Sequence, residues 1–419
     1  MYQEKIKRLR HLLAEQKADG AVLTGIDNIL WATGYISVMD GWHLPEPMSG
    51  VFIPTDADKP VTLMLPEASL IGLIVSARGG YPVFYERLGC FDLLNFCETA
   101  RAEDAFLQLG PDIEAALNDL SPAIMGPCQR DIIASIEQVL PACGVSSGKI
   151  LFDDLRIAAH SAERLAITPA DGYETMFSAR SIKTAEERAL FLESGTKADR
   201  VMDFTAKTLG VGKKWCDIEK AVAHFMIDED IDPLPSSPML FGGSYDLAFR
   251  PDLFRTHFDL PFEAGQIAIL ETQGRYKNIW MDINRTAHIG APSKEYLEQH
   301  ATVRQCFEEV ISHMRPGANT TEICDQIRHT TAKNLDAPGK LQLIIHSIGH
   351  VPLETPNAFP FMGLEAATDG FTLQENMAVS FDCLYFGSKL GPSHMENVFL
   401  VNQNVSASIY NYPLDLIIA

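Results

Sequence analysis

The sequence predicts a mixed α/β (α+β) chain: an N-terminal α/β domain, then a larger domain of two α-β-β halves. Three observations carry that prediction. Short apolar, partly β-branched runs alternate with helical patterns over the first 175 or so residues. Two long helical patterns, 184–209 and about 293–314, are each followed by a glycine and a second helix opening. Each of those helical pairs then leads into a hairpin whose strands carry a carboxylate apiece. The domains are set at 1–178 and 179–419.

Composition bounds the function. The chain has 419 residues, 46% hydrophobic and 21% charged, the balance of an ordinary globular protein. Its formal net charge of -21 disfavours nucleic acid and anionic membranes as partners. Eight cysteines without a C-x-x-C pair indicate neither a disulfide framework nor a zinc knuckle, so reduced thiols and a cytoplasmic location are expected. No apolar run reaches the roughly 18 residues of a membrane-spanning helix. There is no G-x-S-x-G elbow, phosphate-binding glycine loop, G-x-G-x-x-G after a strand, or H-E-x-x-H.

In chain order, MYQEKIKRLRHLLAEQ is an amphipathic helix with Ile6, Leu9 and Leu13 on one face. Strands are expected at Ala21–Thr24, Val51–Ile53, Val61–Met64 and Ile150–Phe152, with helices near 102–118 and 129–140. A Gly- and Pro-rich loop, MDGWHLPEPMSG, follows Tyr35. The second domain opens at a capping box, with Thr184 at the N-cap and Glu187 at N3. The helix it starts sets Phe191, Ala198, Val201 and Met202 near one face. An internal repeat follows: Gly212 precedes a helix opening at Ile218-Glu219 by six residues, and Gly317 precedes Ile323-Cys324 by six. Pro238 to Gly243 reads as a buried strand and turn, where Phe241 is a core aromatic by preference.

The hairpins carry the chemistry. Ile267–Leu270 and Trp280–His288 read as strands about a polar turn at Arg275–Asn278. Glu271 and Asp282 are symmetric about Tyr276–Lys277 and are expected to oppose each other, with Cβ atoms roughly 5 Å apart. Asn376–Asp382 and Met395–Val401 repeat the pattern, with Asp382 and Glu396 symmetric about Lys389. Between the hairpins, IIHSIGH places His346 after an apolar run. Carboxylates so close together cannot both stay ionised in a low-dielectric site without help, of which a bound cation is the commonest kind. Glu271, Asp282, His346, Asp382 and Glu396 form an oxygen-rich set that suits two divalent ions of the Mn, Co, Fe or Zn type.

With these residues in view, the chain resembles the pita-bread family of methionine aminopeptidase, prolidase, aminopeptidase P and creatinase. Asn28 to Tyr35 resembles the entry to the creatinase-type N-terminal domain, and Lys183 to Glu187 resembles the opening of the catalytic domain. The family's metal ligands, Asp, Asp, His, Glu and Glu, fall on Glu271, Asp282, His346, Asp382 and Glu396, with the first and fourth types exchanged. The resemblance implies that Asp282 and Glu396 bridge two ions while Glu271, His346 and Asp382 complete the shells. It further implies a proton-transfer role for Glu354, in Glu354-Thr355-Pro356, and a substrate or oxyanion role for His257 or His350. A second histidine of the peptidases is Leu353 here. Phe241 and Tyr245 would line the substrate pocket. In a homodimer, Trp42 and His43 would reach the partner's site.

The activity this implies is metal-dependent hydrolysis of a C–N bond, in an Xaa-Pro peptide or in a small non-peptide amide. Metal-free creatinase-type hydrolysis, a small-metabolite lyase and a non-catalytic binding module are the alternatives on the same fold.

Overall fold

The computed structural model describes residues 1–37, 46–81, 83–92, 111–233, 261–357, 370–386 and 388–419, together with the backbone of 239–243. They form two compact units, Met1–Arg180 and Ser181–Ala419.

In the first unit the amphipathic opening segment folds as α1 (Tyr2–Glu15), which buries Ile6, Leu9 and Leu13. A six-stranded mixed sheet follows the expected alternation of elements. It comprises β1 (Gly20–Leu23), β2 (Gly50–Pro54), β3 (Thr62–Pro66), β4 (Arg87–Phe91), β5 (Ser147–Phe152) and β6 (Ala166–Asp171). The spatial order is β4-β3-β2-β1-β5-β6. Helices α2 (Ile26–Thr33), α3 (Leu70–Arg78), α4 (Pro111–Leu120), α5 (Ile132–Ala142), α6 (Leu155–Ala162) and α7 (Tyr173–Ser181) accompany it. α2 starts at Gly25, which has no side chain to cap it. Asp153 at the end of β5 does this instead, accepting from Thr24 N, Gly25 N and Asn28 Nδ2 at 2.8, 3.0 and 2.8 Å.

The second unit begins at the expected capping box. Thr184 accepts from the Glu187 N–H, Glu187 returns the bond, and α8 (Ala185–Thr208) follows with Phe191, Ala198, Val201 and Met202 fully buried. The repeat is visible in the elements. The first half holds α8, α9 (Trp215–Asp228), β7 (Met239–Gly243), β8 (Ile267–Tyr276) and β9 (Ile279–His288). The second holds α10 (Lys294–His313), α11 (Thr320–His329), β10 (Leu341–Ser347), β11 (Glu354–Asn357), β12 (Ala378–Tyr385) and β13 (Ser393–Val401). α9 and α11 each start three residues after the glycine, earlier than expected. Asn319 caps α11 with its side chain, whereas Lys214 at the start of α9 makes no such bond, so only one start carried a local signal.

All these strands share one sheet, ordered β11-β10-β12-β13-β9-β8-β7. Two short strands, β14 (Ser406–Ser408) and β15 (Ile417–Ile418), add to β13 and β9. One apolar cluster packs α8 and α9 on β8 and β9, and a second packs α10 and α11 on β10, β12 and β13. The halves meet between β9 and β13, and that junction has a single paired position, Glu396 with Asn284. Beyond it β9 continues against β15, and β13 against β14. Arg285, fully buried behind the junction, donates to the carbonyls of Asn284, Glu396, Tyr412 and Pro413. Burial lowers its pKa to about 10.

Candidate metal centre

On a strand, residues two apart share a face. β8 shows this from Leu270 onward: Leu270, Thr272 and Gly274 are buried, while Glu271, Gln273 and Arg275 alternate with them and are less so. Leu270 belongs to the helix-covered core, so Glu271 and Gln273 face the other way. β12 repeats the pattern around Asp382 and Leu384.

The second hairpin has the expected register, with Asp382 directly opposite Glu396. The first does not. Glu271 lies opposite Asn284, and Asp282 lies opposite Gln273. The two-residue turn is Lys277-Asn278 rather than Tyr276–Lys277, and both residues have positive φ, 47° and 65°. Such a turn matches the twist of a tight hairpin and moves the pairing along by one residue on each strand. Glu271 and Asp282 are therefore diagonal neighbours on the same face. Gln273 Nε2 bridges them, 2.7 Å from Glu271 Oε1 and 3.2 and 3.1 Å from the two Asp282 oxygens.

The five expected donors converge. His346, Asp382 and Glu396 form one group whose ligand atoms lie within 4.8 Å of one another, and Glu271, Asp282 and Glu396 form another. Glu396 is common to both, whereas Asp282 belongs to one. His346 Nδ1 donates to the Ser347 carbonyl at 3.1 Å. Its Nε2 is thereby turned to Asp382 Oδ2 at 3.4 Å and Glu396 Oε1 at 3.9 Å. Neutral donors fill in around the carboxylates. Ser380 Oγ donates to Glu396 Oε1 at 2.6 Å, and Asn284 Nδ2 to Glu271 Oε2 at 3.2 Å. Asn284 is fully buried, and its Oδ1 has no hydrogen-bond partner among the described residues.

Burial pushes Asp282 and Glu396 well above the usual carboxylate range, and the neighbouring carboxylates push them further. Glu271 is raised to about 7, by burial and then by Asp382. Burial alone would raise Asp382 too, but hydrogen bonds from His346 and His394 and their charge hold it well below the usual range. The residues fit a divalent cation: hard carboxylate oxygens and one imidazole nitrogen, buried, repelling one another, with an unsatisfied amide oxygen beside them.

The site also holds residues that the sequence reading did not single out. His394 Nε2 lies 3.0 Å from Asp382 Oδ1 and the ring is buried. Gln273, Asn284, Ser380 and His394 are each two residues from an expected ligand on the same strand. That spacing was the available signal.

Other expected site residues lie outside the two donor groups or outside the described residues. Glu354 is fully buried on β11, and its carboxylate accepts from the His350 N–H at 3.0 Å and pairs with Lys183 Nζ at 3.4 Å. A Cβ on Gly349 would come within 2.6 Å of that carboxylate, so the backbone approaches it as only glycine allows. His350 Nδ1 contacts the Asn278 carbonyl at 2.9 Å. Neither Glu354 nor His350 belongs to the two donor groups. Phe241 pairs with Ile269 in the β7–β8 ladder, and its side chain lies outside the described residues, as do Trp42, His43, Tyr245 and His257 entirely.

Residues 189–403 match the profile of metallopeptidase family M24. An uncharacterized hydrolase/peptidase of Sinorhizobium fredii, y4tM, is 22% identical over 421 residues, covering 90% of this chain and 93% of its own length. Among solved structures, a prolidase from Thermococcus sibiricus superposes with a TM-score of 0.74 at 14% identity, over 100% of this chain and 99% of that one. An Xaa-Pro dipeptidase from Bacillus anthracis gives 0.69 at 18% identity, over 100% of both chains. The fold is thus shared along the whole length, with the pita-bread architecture in the second unit.

Proposed function

Because this chain belongs to metallopeptidase family M24, we propose that it is a metal-dependent hydrolase of a C–N bond, acting on an Xaa-Pro peptide or a small non-peptide amide. The observation that carries the reading is the pair of three-residue donor groups sharing Glu396. Two divalent ions of the Mn, Co, Fe or Zn class are the proposed complement, and Glu396, common to both donor groups, would help to hold each. Bound there, such ions polarise a carbonyl oxygen and lower the pKa of water toward neutrality.

The chain's own residues do the rest. His346 offers Nε2 because its Nδ1 proton is held by the Ser347 carbonyl. His394 holds Asp382 in one orientation. Ser380 does the same for one oxygen of Glu396. Glu271, with its carboxyl raised to about 7, is suited to take or return a proton near neutral pH when it is not engaged by a cation. Glu354 fits a positioning role better than proton transfer, since it accepts from Lys183 and the His350 amide. Leu353, where the peptidases of the resemblance have a histidine, is the reason small amides stand beside peptides as substrates. A cytoplasmic homodimer completes the proposal.

The test joins elemental analysis of freshly purified protein to a screen of Xaa-Pro peptides and small amides with the native metal or with Mn2+. Glu396→Ala removes the residue common to both groups and is expected to lose metal and turnover together. Turnover retained in metal-free Glu396→Ala protein would refute the metal mechanism and point to creatinase-type chemistry.

A further inference from the structure

The two donor groups differ in one respect that their shared chemistry does not require. In the Glu271–Asp282 group an amide nitrogen already sits among the carboxylates. Gln273 Nε2 is within 3.2 Å of three of their four oxygens. Its two N–H bonds are thereby directed at Glu271 and at Asp282. The placement is built in by the strand pairing. Gln273 is the register partner of Asp282 and stands two residues from Glu271 on the same face. The second hairpin has no counterpart: two residues beyond Asp382 stands Leu384, which cannot donate. Around Asp382 and Glu396 the contacts come from the imidazoles of His346 and His394, the Ser380 hydroxyl and the Asp282 carboxyl, and no side-chain amide hydrogen-bonds to either carboxylate among the described residues.

A cation entering the Glu271–Asp282 group therefore has to displace a donor that already satisfies the same oxygens. A cation entering the other group meets an imidazole nitrogen turned toward it by a backbone carbonyl. We propose that Gln273 is a resident competitor for metal at Glu271 and Asp282, and that it sets how far that position lags in affinity behind the one at His346, Asp382 and Glu396. Gln273 would thus decide whether the protein works with one ion or two at a given metal concentration. The inference rests on the metal-dependent reading above and assigns Gln273 a positioning role within it.

The experiment is calorimetric titration of EDTA-stripped wild-type protein, Gln273→Ala and Gln273→Met with Mn2+, with far-UV circular dichroism as the check on folding. Methionine keeps the length of the side chain and removes its donors, so it covers the case in which the shorter variant packs poorly. Wild-type protein is expected to show two steps at least tenfold apart. Both variants are expected to tighten the second step by about tenfold or more and to leave the first within about threefold, a split that general loosening of the strand would not produce. Two wild-type steps of equal affinity would overturn the inference alone. So would variants in which the second step is unchanged or weaker, the weaker result marking the Gln273 carbonyl oxygen as a ligand. Folded wild-type protein that binds no Mn2+ in either step would overturn both this inference and the metal-dependent reading beneath it.

Discussion

Replacing Lys183 by methionine tests how the region beside His346 is held. Lys183 and Glu354 form an ion pair at 3.4 Å with side-chain exposures of 3% and 0%. At that distance, with an effective dielectric of about 20, the attraction is about 5 kcal/mol. Much of it offsets the desolvation of both ions, so the pair itself adds little net stability. Removing one partner is different, because Glu354 would remain buried beside the His350 amide without the Lys183 ammonium. Breaking such a pair costs about 3–5 kcal/mol. For a unit the size of Ser181–Ala419, each kcal/mol moves Tm by about 2–4 °C, so Lys183→Met is expected to lower Tm by roughly 6–20 °C. The double variant Lys183→Met/Glu354→Gln removes both charges and keeps an acceptor for the His350 N–H. It is expected to recover at least half of the loss. Urea and thermal unfolding of the wild type and the two variants supply the measurement. A cost under about 1 kcal/mol for the single variant, or a double variant no more stable than the single, would refute the reasoning.

Three further outcomes are expected. In metal-free protein the Glu271 carboxyl is raised to about 7 by burial, so the folded state keeps a proton that the unfolded chain releases near pH 4.5. Stability should therefore fall, by on the order of 1–3 kcal/mol, as pH rises through that window, with Asp282 and Glu396 shifted in the same sense. Saturating Mn2+ should reverse the slope; Tm profiles with EDTA and with Mn2+ check this, and a metal-free profile that rises from pH 5 to 7 would contradict it. His394→Ala removes the imidazole that orients Asp382 and should weaken Mn2+ binding about 10–100-fold with the protein still folded; unchanged affinity would deny His394 that role. Tyr410→Phe strips the acceptor from the buried Asp282 N–H, 2.9 Å away, and should cost about 1–3 kcal/mol in urea unfolding, whereas a loss near zero would mean that another group takes the bond.

The second hairpin was legible because its outward signs agreed: apolar strands, a carboxylate on each, and a Gly-Ser-Lys turn between them whose Lys389 is the midpoint of the pair. The first hairpin misled by one residue per strand because its turn is made by Lys277 and Asn278 in the left-handed region. Asparagine tolerates that conformation, but lysine gives no hint of it, and the Asn-Gly signature of such turns is missing. The capping box at Thr184 and the burial of Phe191, Ala198, Val201 and Met202 followed from local pattern alone. His394 and Gln273 escaped because the ligand set was drawn from carboxylates and a histidine following an apolar run, not from same-face neighbours of each ligand. Their roles depend on pairing register, which only the folded sheet fixes.

The junction between β9 and β13, with its one paired position at Asn284 and Glu396, has a mechanical meaning. Backbone hydrogen bonds that run continuously along each hairpin are interrupted there, so the ladder resists separation least between the halves. Glu271 and Asp282 come from one side of that line, and His346, Asp382 and Glu396 from the other. An ion held by Asp282 and Glu396 would therefore be a cross-link placed where the sheet's backbone pairing is sparsest. Chelation would then be felt first as faster amide exchange along these two strands, with each hairpin remaining protected within itself.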